Sequence, residues 1–157
     1  MRRGGRVAIV STFETFAAEV RPRLEHALSA AFGVDRGVEA AAEAMAYGWR
    51  HWDRIAAFTN PAGYLYRVGH NHALKQARHP IRLPRPEQSE MPWIEPGLPA
   101  ALENLPEMQR SCVLLVHTFG YSLAEVAELL EVSKPTVQTH VRRALASLRK
   151  SLGVTDV

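Results

Sequence analysis

Six polar and basic residues with side chains suited to DNA contact lie close together: Lys134, Thr136, Gln138, Thr139, Arg142 and Arg143. Arginine and glutamine can form paired hydrogen bonds with base edges, and lysine neutralises a phosphate. Threonine can contact a phosphate or the methyl group of thymine. The stretch therefore predicts a DNA-binding surface, provided that one helix holds these residues on its exposed side.

A second group of polar residues recurs every three or four positions further upstream: Arg67, Asn71, Lys75 and Arg78. That spacing places all four on one face of an α-helix. Four rings lie close to them in the sequence: Tyr64, Tyr66, His70 and His72. Such rings could stack on unpaired bases while the cations hold the DNA backbone. For Tyr64 and His72, however, helical spacing favours packing in the core.

The C-terminal third of the chain has the pattern of a helix-turn-helix. Ser122 and Glu125 form a capping box, which predicts the start of a short helix that ends near Leu130. Ser133 caps a second helix, which ends near Gly153. The apolar residues of this second helix recur at helical spacing: Val137, Val141, Ala144, Leu145, Leu148 and Leu152. The six candidate DNA contacts fall outside that apolar stripe.

Helical spacing also dominates the rest of the chain, and no stretch alternates as a β-strand does. Apolar residues between positions 13 and 32 predict a first helix, which Gly33 ends. Six residues mark the apolar side of a second helix: Ala41, Ala44, Met45, Gly48, Trp49 and Trp52. Asn60 and Pro61 suit the cap and the first position of a third helix. The predicted fold class is therefore all-α.

Six of the ten prolines lie between residues 80 and 99. Proline lacks an amide donor and disfavours helix in the residue before it, so this segment is expected to be extended. The sequence thus predicts two small helical domains, residues 1–79 and residues 100–157, joined by a Pro-rich acidic linker over residues 80–99. Each domain is too small to hold DNA tightly alone, and the linker makes the second contact intramolecular.

The net charge of +3 hides a strong segregation of charge along the chain. Residues 55–86 contain no acid, residues 87–109 contain no Lys or Arg, and residues 134–153 again contain no acid. Two cationic blocks separated by an acidic block favour two contact surfaces for a polyanion. The alternative is a set of ordinary solvated helix faces, where charges of both signs normally mix.

The sequence gives little support to other classes of site. The single cysteine, Cys112, excludes a disulfide framework and lies in an apolar run typical of a buried thiol. No Cys or nearby carboxylate completes a metal site with His70, His72 and His79. No catalytic pattern or phosphate-binding loop appears, so we expect neither an enzyme nor a cofactor. No apolar run is long enough to cross a bilayer, and a cytoplasmic protein is expected.

Three segments of the C-terminal domain carry a specific resemblance. They are Leu105-Pro-Glu-Met-Gln-Arg-Ser-Cys-Val-Leu-Leu, Tyr121-Ser-Leu-Ala-Glu-Val-Ala-Glu-Leu-Leu-Glu-Val-Ser and Thr136-Val-Gln-Thr-His-Val-Arg-Arg-Ala-Leu-Ala-Ser-Leu-Arg. In this order they strongly resemble region 4 of bacterial RNA polymerase sigma factors of the extracytoplasmic-function type, within the sigma-70 family. The resemblance implies that this domain recognises the promoter −35 element in the major groove and contacts the β flap of RNA polymerase.

The N-terminal domain is similar to region 2 of the same family, although more weakly. Residues 60–78 resemble the helix that opens and recognises the −10 element. On this resemblance Asn71, Lys75 and Arg78 stand at the family's Asn and basic positions, and Tyr64 stands where Trp is usual. The resemblance therefore implies that the face with Arg67, Asn71, Lys75 and Arg78 contacts the −10 region.

Residues 39–52 resemble the helix that docks on the β′ clamp helices of the polymerase. Glu39 and Glu43 keep two acidic positions of that helix, which implies that they bind polymerase. Ala42 replaces the usual Gln, so weaker or altered core binding is expected.

The C-terminal domain also departs from the family pattern. Glu131 occupies a turn position where Gly is common, so a non-glycine residue is expected to tolerate positive φ there. Gln138 and His140 stand where basic residues are common, which reduces the attraction for phosphate.

Taken together, the resemblance implies a sigma factor that directs core RNA polymerase to specific promoters. Its implied partners are core polymerase, through the β′ clamp helices and the β flap, and promoter DNA, with an anti-sigma factor as a further candidate. Two alternatives remain open. One is a stand-alone helix-turn-helix regulator whose degenerate region 2 no longer docks on polymerase. The other is a protein-interaction module of the anti-sigma and polymerase system.

Overall fold

The computed structural model describes residues 3–76 and 95–154, with side chains from residue 13 onward. Within these ranges the chain is helical and contains no strand, which confirms the predicted all-α class. The helices are α1 Arg3–Phe32, α2 Val34–Arg50, α3 Trp52–Ile55, α4 Pro61–Gln76, α5 Leu98–Glu103, α6 Glu107–Val113, α7 Leu123–Leu130 and α8 Lys134–Ser151. A π-helical turn, Leu114–Thr118, continues α6. None of the described helices is long and apolar enough to span a membrane.

Several predictions fall outside the described residues. These are the candidate DNA contact Arg78, the histidine His79, and residues 80–94 of the predicted linker. Within the last part of that linker, α5 begins at Leu98, before the predicted start of the second domain.

Local signals set the boundaries of the N-terminal helices. α1 ends before Gly33, whose φ of 89° lies in the left-handed region that glycine tolerates. Asn60 caps α4, because its Oδ1 accepts a hydrogen bond of 3.0 Å from the amide of Gly63. Both boundaries were predicted from the sequence and are confirmed.

α1, α2 and α4 pack on one another around a core of aliphatic and small residues. Gly69 shows how closely α4 approaches its neighbours. A Cβ atom on Gly69 would lie 2.7 Å from Leu28 Cδ1 and 3.1 Å from the carbonyl oxygen of Ala40. The absent side chain therefore lets α4 rest directly on α1 and α2.

The buried core continues across the boundary between the two predicted domains. Leu24 and Leu28 of α1 belong to the same cluster as Leu115 of the π-helical turn and Val126 of α7. A smaller cluster joins α5, α6 and α8: Ala101, Leu105, Val113, Ala144 and Leu148. Because burial of apolar surface stabilises contacts at about 25 cal/mol per Å², the C-terminal helices are held on the N-terminal ones by a hydrophobic seam.

The position of Trp49 corrects a sequence-based prediction. Trp52 is buried as expected, but Trp49 is half exposed. The buried face of α2 includes Ala41, Ala44 and Gly48, and Trp49 lies one residue beyond it. A step of one residue rotates a side chain by about 100° around the helix, which carries the indole to the margin of the core. There its ring packs against Phe13, with centroids 5.3 Å apart.

Cys112 is fully buried in this core, as its apolar surroundings predicted. Burial raises the pKa of its thiol from the usual 9.0 to about 11. We therefore expect a disulfide reagent to leave Cys112 unmodified in the native chain and to modify it on unfolding. The stabilising contribution of the neutral thiol should be complete below pH 9 and should fall as the pH rises towards 11. Rapid modification of the native protein at pH 8 would contradict this burial.

Candidate nucleic-acid interface

The helix-turn-helix is built from α7, the turn at residues 131–133 and α8. Ser122 caps α7 by accepting a hydrogen bond of 3.1 Å from the amide of Glu125. Ser133 caps α8 in the same way, accepting one of 3.2 Å from the amide of Thr136. Each cap satisfies an amide that the first helical turn leaves without an intrahelical partner. Both predicted caps are confirmed.

Glu131 adopts the left-handed conformation that its place in the turn predicted. Its φ is 55° and its ψ is 45°, and among the described residues it is the one non-glycine residue with positive φ. This conformation costs a residue with a Cβ about 1 kcal/mol. The turn is closed behind it by a hydrogen bond of 3.0 Å from the amide of Val132 to the carbonyl of Ala127.

The structure places all six sequence-predicted DNA contacts of α8 outside its buried stripe. That stripe consists of Val137, Val141, Ala144 and Leu148. The longer polar side chains are exposed: Lys134, Gln138, Arg142 and Arg143. Thr136 and Thr139 are half-buried, and the hydroxyl of Thr139 donates to the carbonyl of Pro135 over 2.9 Å. Base and phosphate contacts are therefore available chiefly to the four exposed side chains.

An open groove of about 370 Å³ runs along one side of α8. Its lining is mainly apolar, with a cationic rim: Val116, His117, Leu123, Gln138, Val141, Arg142, Leu145 and Arg149. The groove lies next to the exposed polar face, so α8 offers an apolar surface beside a charged one.

α4 carries the second set of predicted contacts. Asn71 and Lys75 are exposed on it. Arg67 is exposed as well, but its guanidinium forms an ion pair with the carboxylate of Glu131 in the turn between α7 and α8. The structure therefore brings Asn71 and Lys75 to the surface together, and it couples Arg67 to the C-terminal helices.

The rings near α4 occupy different environments. Tyr66 is buried, and its burial raises the pKa of its hydroxyl, so this ring packs in the core and offers no face for stacking. Tyr64 is half-buried, as its helical spacing suggested. His70 lies 2.9 Å from Glu107, and His72 lies 4.0 Å from Glu39.

A cluster of aromatic and basic side chains lies where α2, α3 and α4 meet. It was not predicted from the sequence. The hydroxyls of Tyr47 and Tyr64 lie 3.4 Å apart, and Arg54 donates a 2.9 Å hydrogen bond to Tyr47. The hydrogen bonds with Tyr64 and then with Arg54 lower the pKa of Tyr47. The rings of His51 and Phe58 pack against the two tyrosines. The cluster combines residues from three elements and the turns between them, so the spacing within a single helix does not reveal it.

The predicted polymerase-binding residues lie on the exposed face of α2. Glu39 and Glu43 are both exposed, and Ala42 lies exposed beside Glu43. Val34 and Val38 are more than two-fifths exposed on the same helix. This face thus combines two carboxylates with apolar side chains, a composition typical of protein-binding surfaces.

Arg110 is the most important residue that sequence reasoning missed. Its side chain is 2% exposed and lies between the two predicted domains. Its Nε donates to the carbonyl of Ala30 over 2.7 Å, its Nη2 to that of Ala31 over 2.8 Å, and its Nη1 to that of Leu105 over 2.8 Å. Ala30 and Ala31 lie in the last turn of α1, whose carbonyls lack intrahelical partners. Burial lowers the pKa of this guanidinium below its usual value.

Comparison with known proteins identifies the C-terminal part. Residues 97–148 match the family described as Sigma-70, region 4. This part of the chain is therefore similar to region 4 of the sigma-70 family. The match includes α5, α6, α7 and most of α8, and with them the six candidate DNA contacts. We refer to this part of the chain as the region 4 domain.

The chain is similar to curated sigma factors over the same part of its sequence. It is 43% identical over 53 residues to the ECF RNA polymerase sigma factor SigM of Mycobacterium tuberculosis. It is 36% identical over 53 residues to the ECF sigma factor SigK of Mycolicibacterium vanbaalenii. Each match covers 34% of this chain and 27% of the relative's length. These likenesses therefore concern the region 4 domain.

A structural comparison extends the likeness in fold to nearly the whole chain. The sigma factor RpoE of Bartonella quintana, crystallised with the anti-sigma factor NepR, superposes with a TM-score of 0.64. The match covers 92% of this chain and 99% of RpoE at 20% sequence identity. The described N-terminal helices and the region 4 domain thus share the fold of this neighbour.

Proposed function

We propose that this chain is a sigma factor of the extracytoplasmic-function type, which acts in the cytoplasm and directs core RNA polymerase to specific promoters. The observation that carries the proposal is the region 4 domain, with a capped α8 that holds its polar face clear of the core. In this role the chain supplies sequence recognition, and the polymerase supplies the catalysis.

In this proposal α8 recognises the −35 element in the major groove. An α-helix fits that groove, and arginine and glutamine can pair with base edges there. Gln138, Arg142 and Arg143 are exposed and belong to the same helix. Lys134 lies at the start of α8, where its side chain would neutralise a phosphate. The N-terminus of the helix would also attract the phosphate through its dipole.

The corner of α2, α3 and α4 is proposed to hold the −10 region. Asn71 and Lys75 are exposed on α4, and the cluster of Tyr47, Arg54 and Tyr64 lies at its N-terminal end. Aromatic rings beside cations are suited to unstacked bases, because every base has a face that stacks. This combination supports a role in strand separation, to which Arg67 and Arg78 would add positive charge.

The polymerase is proposed to bind at two places. The exposed face of α2 with Glu39 and Glu43 would dock on the β′ clamp helices, and the region 4 domain would contact the β flap. A carboxylate pair flanked by Val34 and Val38 supports the first contact. The RpoE neighbour was crystallised with an anti-sigma factor. We therefore include an anti-sigma factor among the proposed partners.

Reversing the charge of Glu39 and Glu43 is expected to weaken binding to core polymerase at least tenfold. Each reversal replaces an attraction with a repulsion at a surface that steers association. Binding of the Glu39→Lys, Glu43→Lys double variant to labelled core enzyme can be measured by fluorescence anisotropy. Glu14→Lys with Glu19→Lys is the matched control on exposed positions of α1. Equal affinities for the two double variants would contradict the proposed docking face.

A stand-alone DNA-binding regulator is the second candidate function. Ala42 favours it, because this exposed residue of α2 offers no hydrogen bond at a surface proposed to dock on polymerase. Co-purification distinguishes the two candidates. A sigma factor should remain bound to core polymerase through size-exclusion chromatography, whereas a stand-alone regulator should elute alone.

A further inference from the structure

We propose that Gln138 selects an adenine within the −35 element and so sets one base of the promoters that this chain recognises. The inference rests on the proposed function, because it assigns a target to one side chain of α8. It goes further by naming the base that this side chain prefers. Exposure, charge and hydrogen bonding distinguish Gln138 from the other residues in the first half of α8, residues 134–142.

Most side chains in the first half of α8 are buried or already hydrogen-bonded within the helix. Val137 and Val141 are buried. The hydroxyl of Thr136 lies 2.7 Å from the hydroxyl of the serine that caps the helix. The hydroxyl of Thr139 donates to the carbonyl of Pro135 over 2.9 Å, and the side chain of Pro135 has no polar group. These five residues are therefore poorly placed to read a base edge.

Three exposed polar side chains remain in this half of the helix: Lys134, Gln138 and Arg142. Lys134 and Arg142 are cations, so both gain affinity from a phosphate whatever the base sequence is. Gln138 is uncharged and gains little from a phosphate. No hydrogen bond joins its amide to another described residue. The contribution of Gln138 to DNA binding therefore depends on the base edge that it meets.

The hydrogen-bonding groups of a glutamine amide match adenine better than guanine. The NH2 group donates and the oxygen accepts, and the major-groove edge of adenine offers an acceptor at N7 and a donor at N6. Guanine offers two acceptors there, N7 and O6, which suit the paired donors of an arginine. Against guanine the side-chain oxygen of Gln138 would have no donor. The amide therefore favours an A·T pair.

The packing of α8 holds Gln138 at a defined place on the helix. Its neighbour Val137 is fully buried, and Val141 one turn later belongs to the same buried stripe. Ser133 fixes the start of the helix by accepting a hydrogen bond of 3.2 Å from the amide of Thr136. Gln138 lies within the first two turns of α8, the part of a recognition helix that contacts base edges. A fixed backbone lets this side chain discriminate one base pair.

The test selects binding sites from a random double-stranded DNA library with the full chain and with Gln138 variants. One A·T pair of the motif should lose its preference in Gln138→Ala. Replacing that pair by G·C should cost the unaltered chain about tenfold or more in affinity. Gln138→Arg should prefer guanine at the same position. Both substitutions lie outside the buried stripe, so the fold should be retained.

Two controls separate base selection from a general loss of affinity. Lys134→Ala should weaken binding to all sequences alike and lower the slope of log affinity against log salt by roughly 1. Gln76→Ala removes an exposed glutamine from α4 and should leave the selected motif unchanged.

The outcomes distinguish the role of Gln138 from the proposed function. A motif in which Gln138→Ala relaxes no position, or relaxes a G·C pair, overturns the assignment while the proposed function stands. A motif that changes as expected, from a chain that supports no transcription with core polymerase, would refute the proposed function alone. Selection by the unaltered chain that yields no motif would refute both.

Discussion

Replacing Arg110 by alanine is expected to lower the free energy of unfolding by about 3 kcal/mol, the largest effect of any single substitution considered for this chain. The guanidinium is almost fully buried and donates to the carbonyls of Ala30, Ala31 and Leu105. Each buried carbonyl left without a donor costs about 1–3 kcal/mol, although neighbouring losses do not add fully. The C-terminal end of α1 and the domain seam should both be weakened.

Urea denaturation of the full chain measures this effect. Arg110→Lys should recover only part of the loss, because an ammonium group lacks the planar fork that reaches three separate carbonyls. Gln109→Ala is the neighbouring control, since the Oε1 of Gln109 is buried without a hydrogen-bond partner among the described residues. If Arg110→Ala were no more destabilising than Gln109→Ala, the hydrogen bonds of Arg110 between the domains would not be a major source of stability.

Removing both arginines from the exposed face of α8 is expected to weaken promoter binding about 100-fold. Arg142 and Arg143 are exposed at the centre of the helix, and each specific contact to a base or phosphate is worth about 1–3 kcal/mol. If both contact phosphate, the double variant should also lower the slope of log affinity against log salt by roughly 2. The substitutions lie outside the buried stripe, so the fold should be retained.

The measurement uses DNA selected from a random library by the unaltered chain. Affinities of the Arg142→Ala, Arg143→Ala double variant are compared with those of Arg149→Ala with Lys150→Ala. The control removes the same charge from exposed positions in the last turn of the same helix. If the two double variants bound equally well, long-range charge rather than contact by the recognition helix would account for the binding.

The features that were predicted correctly from the sequence depend on residues close together in the chain. The caps at Asn60, Ser122 and Ser133 were predictable because a side chain bonds an amide three residues further along its own chain. The left-handed conformation of Glu131 was predicted from the resemblance, because Gly is common at this turn position in the family. The exposed face of α8 followed in turn, because its apolar stripe and its cap fix which residues face away from the core.

The missed features depend on contacts between distant parts of the chain. Arg110 bonds to carbonyls of α1 some 80 residues earlier, so its role appears only when the helices pack together. The ion pair between Arg67 and Glu131 likewise joins residues 64 positions apart. Tyr66 was expected among the rings available for stacking, but it is buried in the core cluster that the N-terminal helices share with the C-terminal ones.

These long-range contacts also alter the interpretation of the two predicted domains. Composition and prolines separate them along the sequence, yet the larger cluster of buried apolar residues includes residues of both. Arg67 was predicted as a DNA contact of the first domain, and the structure couples it to the turn of the region 4 domain. The surface proposed for the −10 region is therefore sensitive to the position of the other domain.

In vitro transcription will show whether this chain gives promoter specificity to RNA polymerase, as proposed. Core enzyme should be combined with the chain on a library of genomic fragments, and the 5′ ends of the transcripts should be sequenced. Initiation is expected at a defined set of sites that share −35 and −10 elements, and it should be lost with the Arg142→Ala, Arg143→Ala variant. Core enzyme that initiates at the same sites with and without the chain would contradict the proposal.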